Sequence, residues 1–193
     1  GHYEGTASEY VTILEGIKEY LGEDIRVYFS EGCHLFKKSS QALGMENDRI
    51  AEARMICDMS DVVIACFGLD SGLEGEEGDQ GNEFASGDKV SLNLPGIQEE
   101  VLKELYKSGK PIILVLLSGS ALSVSWADEH IPAIIQGWYP GAQGGRALAQ
   151  VLFGDYSPEG KLPVTFYRTT EELPDFTDYN MAGRTYRYMS NEA

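Results

Sequence analysis

A chain of 193 residues, 42% apolar and 24% charged, is long enough for one domain with a sizeable core that needs no disulfide or metal staples. Its formal net charge of −16 argues against nucleic acid and anionic membranes as partners, because phosphate binding needs clustered Lys and Arg. No apolar run approaches the roughly 18 residues of a membrane span. Cys33, Cys57 and Cys66 give neither a disulfide framework nor a zinc pattern, which favours a cytoplasmic setting.

The opening Gly1-His2-Tyr3-Glu4-Gly5 has neither the basic nor the apolar region of a signal peptide, and no Met begins it. The expectation is a segment excised from a longer polypeptide. Residues 8–21 carry a helical stripe of Val11, Leu14, Ile17 and Leu21. A short β-rich run, 25–29, follows. Residues 45–59 read as a helix with Ile50, Ala53 and Ile56 on one face, and 62–67 as a continuous apolar strand. Cys57 and Cys66, both in apolar contexts, read as core residues. Residues 95–108 form a helix with Pro95 in its first turn, ending near Gly109. The strongest strand is 111–117. Another strand, 133–138, precedes a helix at 144–153, and 162–167 reads as a last strand.

Alternating strands and helices with continuous apolar strands predict an α/β fold: a three-layer α/β/α sandwich with a mostly parallel sheet. We expect residues 1–168 to form the sandwich and residues 169–193 an extended tail. That tail loses periodicity but keeps Phe176, Tyr179, Tyr186 and Tyr188, and is expected to pack across a surface or reach toward a partner domain.

The exception to short connections is 70–93, which is too long for a plain connector. It follows strand 62–67 directly, and ligands of open α/β sheets bind beyond the carboxyl ends of the strands. It concentrates Asp70, Glu74, Glu76, Glu77 and Asp79 among glycines that let the backbone bend sharply. Three readings compete. One is a solvated acidic loop. The second is calcium, but an EF-hand loop begun at Asp70 puts Gly72 and Gly81 where oxygen ligands belong. The third is general acid/base work, in which crowded carboxylates raise at least one pKa. Nucleotide binding finds no support, because neither a phosphate loop nor a dinucleotide glycine fingerprint is present. Gly141, Gly144 and Gly145, between a strand and a helix, read as close-packing positions or as backbone approaching a ligand or partner. His2, His34 and His130 show no ligand spacing, and no metal or cofactor is called for.

Several segments are familiar together. They are Gly68-Leu69-Asp70 with Glu74-Gly75-Glu76-Glu77-Gly78-Asp79, Leu92-Asn93-Leu94-Pro95-Gly96-Ile97-Gln98, and Gly109-Lys110-Pro111. Gly137-Trp138-Tyr139-Pro140-Gly141, the run Phe153 to Phe166, and Gly183-Arg184-Thr185-Tyr186-Arg187-Tyr188 complete the set. Their order and spacing resemble the C-terminal sandwich domain of family 3 glycoside hydrolases, the β-glucosidases and β-xylosidases. The resemblance covers nearly the whole chain, and its most specific part is Gly154-Asp155 followed by Pro158, Gly160-Lys161-Leu162-Pro163 and Thr165.

The resemblance implies a retaining exo-β-glycosidase whose active site spans two domains. The nucleophilic Asp is expected on a barrel domain that precedes this one and lies outside the chain, so the chain alone is expected to be inactive. The acid/base Glu is expected in the long loop. The family pattern Glu-Gly-x-Asp-Arg, counted back from Asp79, falls on Glu76 as first choice, with Glu74 second. Asp79 and Gln80 are candidate substrate contacts. Glu77 stands where Gly is usual and Gln80 where Arg is usual. The implied partners are a β-linked carbohydrate and the absent barrel. The alternative is a non-catalytic carbohydrate-binding or interaction module on the same fold.

Overall fold

A computed structural model describes residues 5–37, 48–75 and 89–189 of the chain. The first helix, α1 (Ile13–Leu21), starts later than its apolar stripe because a capping box fixes its beginning. Glu15 N donates to Thr12 Oγ1 at 3.2 Å, and Thr12 N donates back to Glu15 Oε2 at 2.8 Å. Gly22, with φ of 64°, ends it.

Three parallel strands form the sheet: β1 (Val63–Gly68), β2 (Ile112–Leu117) and β3 (Ala133–Gln136), in the order β1-β2-β3. Val63 is in register with Ile112, and Ile113 with Ala133. These are the three central strands expected from the apolar runs, each within two residues of its expected end. Helix α2 (Asp48–Asp58) precedes β1, α3 (Gln98–Tyr106) lies in the first crossover, and α4 (Ser125–His130) in the second. Parallel neighbours in the order β1-β2-β3 are joined by crossovers stepping the same way, and with the right-handed sense general to such connections their helices fall on one face of the sheet. The core agrees: Ala53 and Cys57 of α2, Leu102 and Leu105 of α3 and Ala127 of α4 share one buried cluster with Ile112, Leu114 and Leu116. Strand alternation turns Val115, fully buried, toward the other side.

Helix α5 (Gly144–Leu152) pairs with α1. Val11 N donates to Ala142 O at 2.8 Å and Gly145 N to Val11 O at 3.1 Å, stitching the two helix starts together. A Cβ on Gly145 would lie 2.6 Å from the Thr12 carbonyl carbon and one on Gly144 2.8 Å from Pro140 Cβ, so these two glycines are close-packing positions, whereas Gly141 has open space around it and instead takes a φ of 73°. Arg146 Nε binds Glu19 at 2.7 Å, and Tyr20 stacks on Phe153 at 4.9 Å between centroids.

The architecture is the expected α/β sandwich on a parallel sheet, with four corrections. Residues 25–29 and 162–167 are not strands; Ile25, Phe29, Leu162 and Val164 are exposed and no ladder holds them. Helix α4 was not foreseen, because six residues are too few to show a period. Helix α3 begins at Gln98, past Pro95. Cys66 is exposed rather than in the core, whereas Cys57 is buried. Among its described residues the stretch after Arg168 holds one turn of 3-10 helix (Thr170–Glu172) and leaves Phe176 and Tyr179 exposed. It is tied back by Leu92 N donating to Thr170 Oγ1 at 3.1 Å, and by the Tyr167 hydroxyl donating to Arg184 O.

Candidate active site

Parallel strands bring the carboxyl ends of β1, β2 and β3 to one edge. Strand β1 ends at Gly68, whose φ of 140° suits glycine alone and where a Cβ would lie 2.7 Å from the Leu117 carbonyl carbon. Gly68 lies on an edge strand of the described sheet, so its outward N–H and C=O need partners. Gln98, buried at the start of α3, supplies both. Its Oε1 accepts from Gly68 N at 2.7 Å, and its Nε2 donates to Gly68 O at 2.8 Å and to Leu35 O at 2.6 Å. The side-chain amide thus serves as a one-residue neighbouring strand.

Beyond Gly68 the chain turns on Asp70, whose Oδ1 accepts from Leu73 N at 2.8 Å. Leu73 is buried and anchors the turn. Glu74 then reaches across the sheet edge. Its Oε2 accepts from Gly119 N at 2.6 Å and from the Tyr139 hydroxyl, and its Oε1 accepts from the Ser120 hydroxyl. Gly119 and Ser120 follow β2, and Tyr139 follows β3. One carboxylate therefore joins the ends of all three strands.

The donors are themselves held. Gln136 Nε2 donates to Ser118 Oγ at 3.0 Å, and Ser118 Oγ donates to Ser120 O at 2.8 Å, bracing the turn after β2. Trp138 has φ of 54°, the one positive value at a non-glycine among the described residues, and stands edge-on to Phe166 at 6.2 Å. Partial burial, and then the hydrogen bond to Glu74, push the Tyr139 phenol well above its ordinary range, so it stays protonated and donates. Lys89, half-buried, donates from Nζ to Ala121 O at 3.0 Å. Burial lowers its pKa while attraction to Glu74 opposes the shift. Among the described residues, no three His, Cys, Asp or Glu side chains gather as metal ligands.

Of the residues singled out in the sequence, Glu74 stands in this network. Glu76, Glu77, Asp79 and Gln80 lie outside the described residues. Sequence reasoning missed Gly119, Ser120, Lys89 and Tyr139 as site residues. The one signal was Tyr139, inside the Gly137-Trp138-Tyr139-Pro140-Gly141 run that carries part of the family resemblance.

The architecture is that of an α/β domain with an acidic segment at the carboxyl edge of its sheet. Residues 1–192 match the glycosyl hydrolase family 3 C-terminal domain, and the chain belongs to that family. A xylan 1,4-beta-xylosidase of Xylanibacter ruminicola is 52% identical over 130 residues, covering 67% of this chain and 15% of the relative. A periplasmic beta-glucosidase of Salmonella typhimurium is 30% identical over 201 residues, covering 94% and 24%. Among solved structures, the β-glucosidase EmGH1 of Erythrobacter marinus superposes with a TM-score of 0.76 at 33% identity, covering 90% of this chain and 25% of its own. The exo-beta-xylosidase XlnD, held with a xylobiose aziridine probe, gives 0.76 at 25% identity, covering 94% and 22%. The chain spans less than a quarter of the length of these curated relatives.

Proposed function

We propose that this chain supplies the acid/base half of the active site of a retaining exo-β-glycosidase that removes terminal β-linked glucose or xylose. The observation that carries the reading is the acidic segment opening at Glu74, which leaves the carboxyl edge of a parallel sheet, where such sheets bind ligands. The family and its β-xylosidase and β-glucosidase relatives support the substrate class. Glu76 is the first choice for the acid/base and Glu74 the second, with Asp79 and Gln80 as substrate contacts.

In the first step the protonated Glu gives its proton to the glycosidic oxygen as a nucleophilic Asp attacks the anomeric carbon. In the second the same carboxylate takes a proton from the water that releases the sugar. The Asp is assigned to a barrel domain outside this chain, with residues 1–168 as the sandwich and 169–193 as its tail. A retaining pair must stand about 5–5.5 Å apart, so the chain alone has no complete site.

The test uses the complete polypeptide and Glu76→Ala. Glycosylation should slow most on substrates with poor leaving groups, because activated aryl glycosides need little help from an acid. Azide should restore the second step, since a small anion needs no general base. Robust release of nitrophenol by residues 1–193 alone, lost in Glu76→Gln, would overturn the two-domain assignment.

A further inference from the structure

The Glu74 carboxylate has no idle oxygen. Oε2 takes the Gly119 amide at 2.6 Å and the Tyr139 hydroxyl, and Oε1 takes the Ser120 hydroxyl. A general acid must present its own proton within hydrogen-bond reach of the leaving oxygen, and both oxygens here already accept from donors of the protein itself. The other end of the acidic segment is fixed on the same turn, because Lys89 Nζ donates to Ala121 O at 3.0 Å. Residues 74 and 89, of opposite charge, thus rest on three consecutive residues, 119, 120 and 121. Glu76 lies two residues past the first anchor, within about 7 Å of it along the chain. On the glycosidase reading, a displacement of that anchor therefore passes through only two peptide units to Glu76.

We infer that Glu74, Lys89, Ser120 and Tyr139 form a positioning set that fixes where the acidic segment leaves the sheet edge, and that Glu74 itself transfers no proton. The inference rests on the glycosidase reading above. Tyr139 serves as the fixed donor, kept protonated by its burial and by Glu74. Gly119 is the tight point: a Cβ there would lie 3.0 Å from Glu74 Oε2 and 3.1 Å from the Tyr139 ring.

The experiment compares Glu74→Gln, Tyr139→Phe, Lys89→Met and Glu76→Gln in the complete polypeptide, following kcat and KM on aryl β-xylosides and β-glucosides across pH, with and without azide. A circular-dichroism melt checks that each variant folds; Tyr139→Phe, which keeps the ring, covers the case in which Glu74→Gln does not. We expect Glu74→Gln and Tyr139→Phe to lower kcat between about 10- and 100-fold, the scale of a small misplacement of a catalytic group. Both should keep the basic limb of the pH profile and form no glycosyl azide, because the titrating acid remains. Glu76→Gln should lose that limb. If Glu74→Gln loses the limb and forms glycosyl azide, Glu74 is the acid and the inference falls while the glycosidase reading stands. Unchanged kcat in Glu74→Gln and Tyr139→Phe would also sink it. If no variant of either Glu moves the limb, the glycosidase reading of this segment fails.

Discussion

Gly16 of α1 and Gly145 of α5 meet backbone to backbone: a Cβ on Gly16 would lie 2.7 Å from Arg146 N, and one on Gly145 would lie 2.6 Å from the Thr12 carbonyl carbon. Gly145→Ala gains about 1 kcal/mol of helix propensity. It also drives a methyl into main chain that cannot rotate aside, an overpacking cost of about 3 kcal/mol. The expected net loss is about 2 kcal/mol, or roughly 6 °C in the melting temperature for a domain of this size. A thermal melt of Gly145→Ala beside the parent checks it; an unchanged or higher midpoint would show that α1 and α5 slide apart without cost.

Gln98 closes the edge of β1 through two hydrogen bonds to Gly68 and ties in Leu35 O with a third. Gln98→Leu keeps the volume and leaves Gly68 N–H, Gly68 O and Leu35 O without it. Each buried orphan costs about 1–3 kcal/mol, and partial access of water to the edge brings the expected total to about 3 kcal/mol. Urea denaturation gives that figure. Amide exchange at Gly68 localises it: protection there should drop while protection in β2 holds.

The third expectation concerns pH. The folded-state pKa of Tyr139 is raised, first by burial and then by the Glu74 hydrogen bond. The proton is held more tightly in the folded chain than in the unfolded one. The stabilisation is therefore present in full below the ordinary phenol value of about 10 and is lost as pH rises through that value toward the folded one. The parent should lose stability more steeply above that pH than Tyr139→Phe. Parallel slopes in denaturation series between neutral and strongly alkaline pH would refute the assignment.

The sheet was legible because continuous apolar runs such as Ile112–Leu117 have one physical outcome when both faces are covered. Residues 25–29 and 162–167 carry the same β-rich composition and form no strand. Strand formation needs a backbone partner as well as suitable side chains, and local sequence does not name that partner. The site divides in the same way. The acidic run after β1 announces itself through composition and place. Its partners do not: Gly119 lies 45 residues from Glu74 and Tyr139 lies 65 residues away, brought near only by parallel register. Trp138, whose left-handed backbone precedes Tyr139, is a residue type for which that conformation is unexpected, so no local rule could have foreseen the turn.

The shared footing of Glu74 and Lys89 on residues 119–121 also bears on how this domain can diversify. A chain that departs and returns at neighbouring points of one turn makes a module, whose contents can be exchanged without re-registering any strand. Doubling the length of such an excursion costs only about 0.6 kcal/mol in closure entropy. Grafting a longer or shorter segment between residues 75 and 88 should therefore leave the melting behaviour of the sheet nearly untouched. The length of this one segment is then free to change while the scaffold beneath it stays fixed.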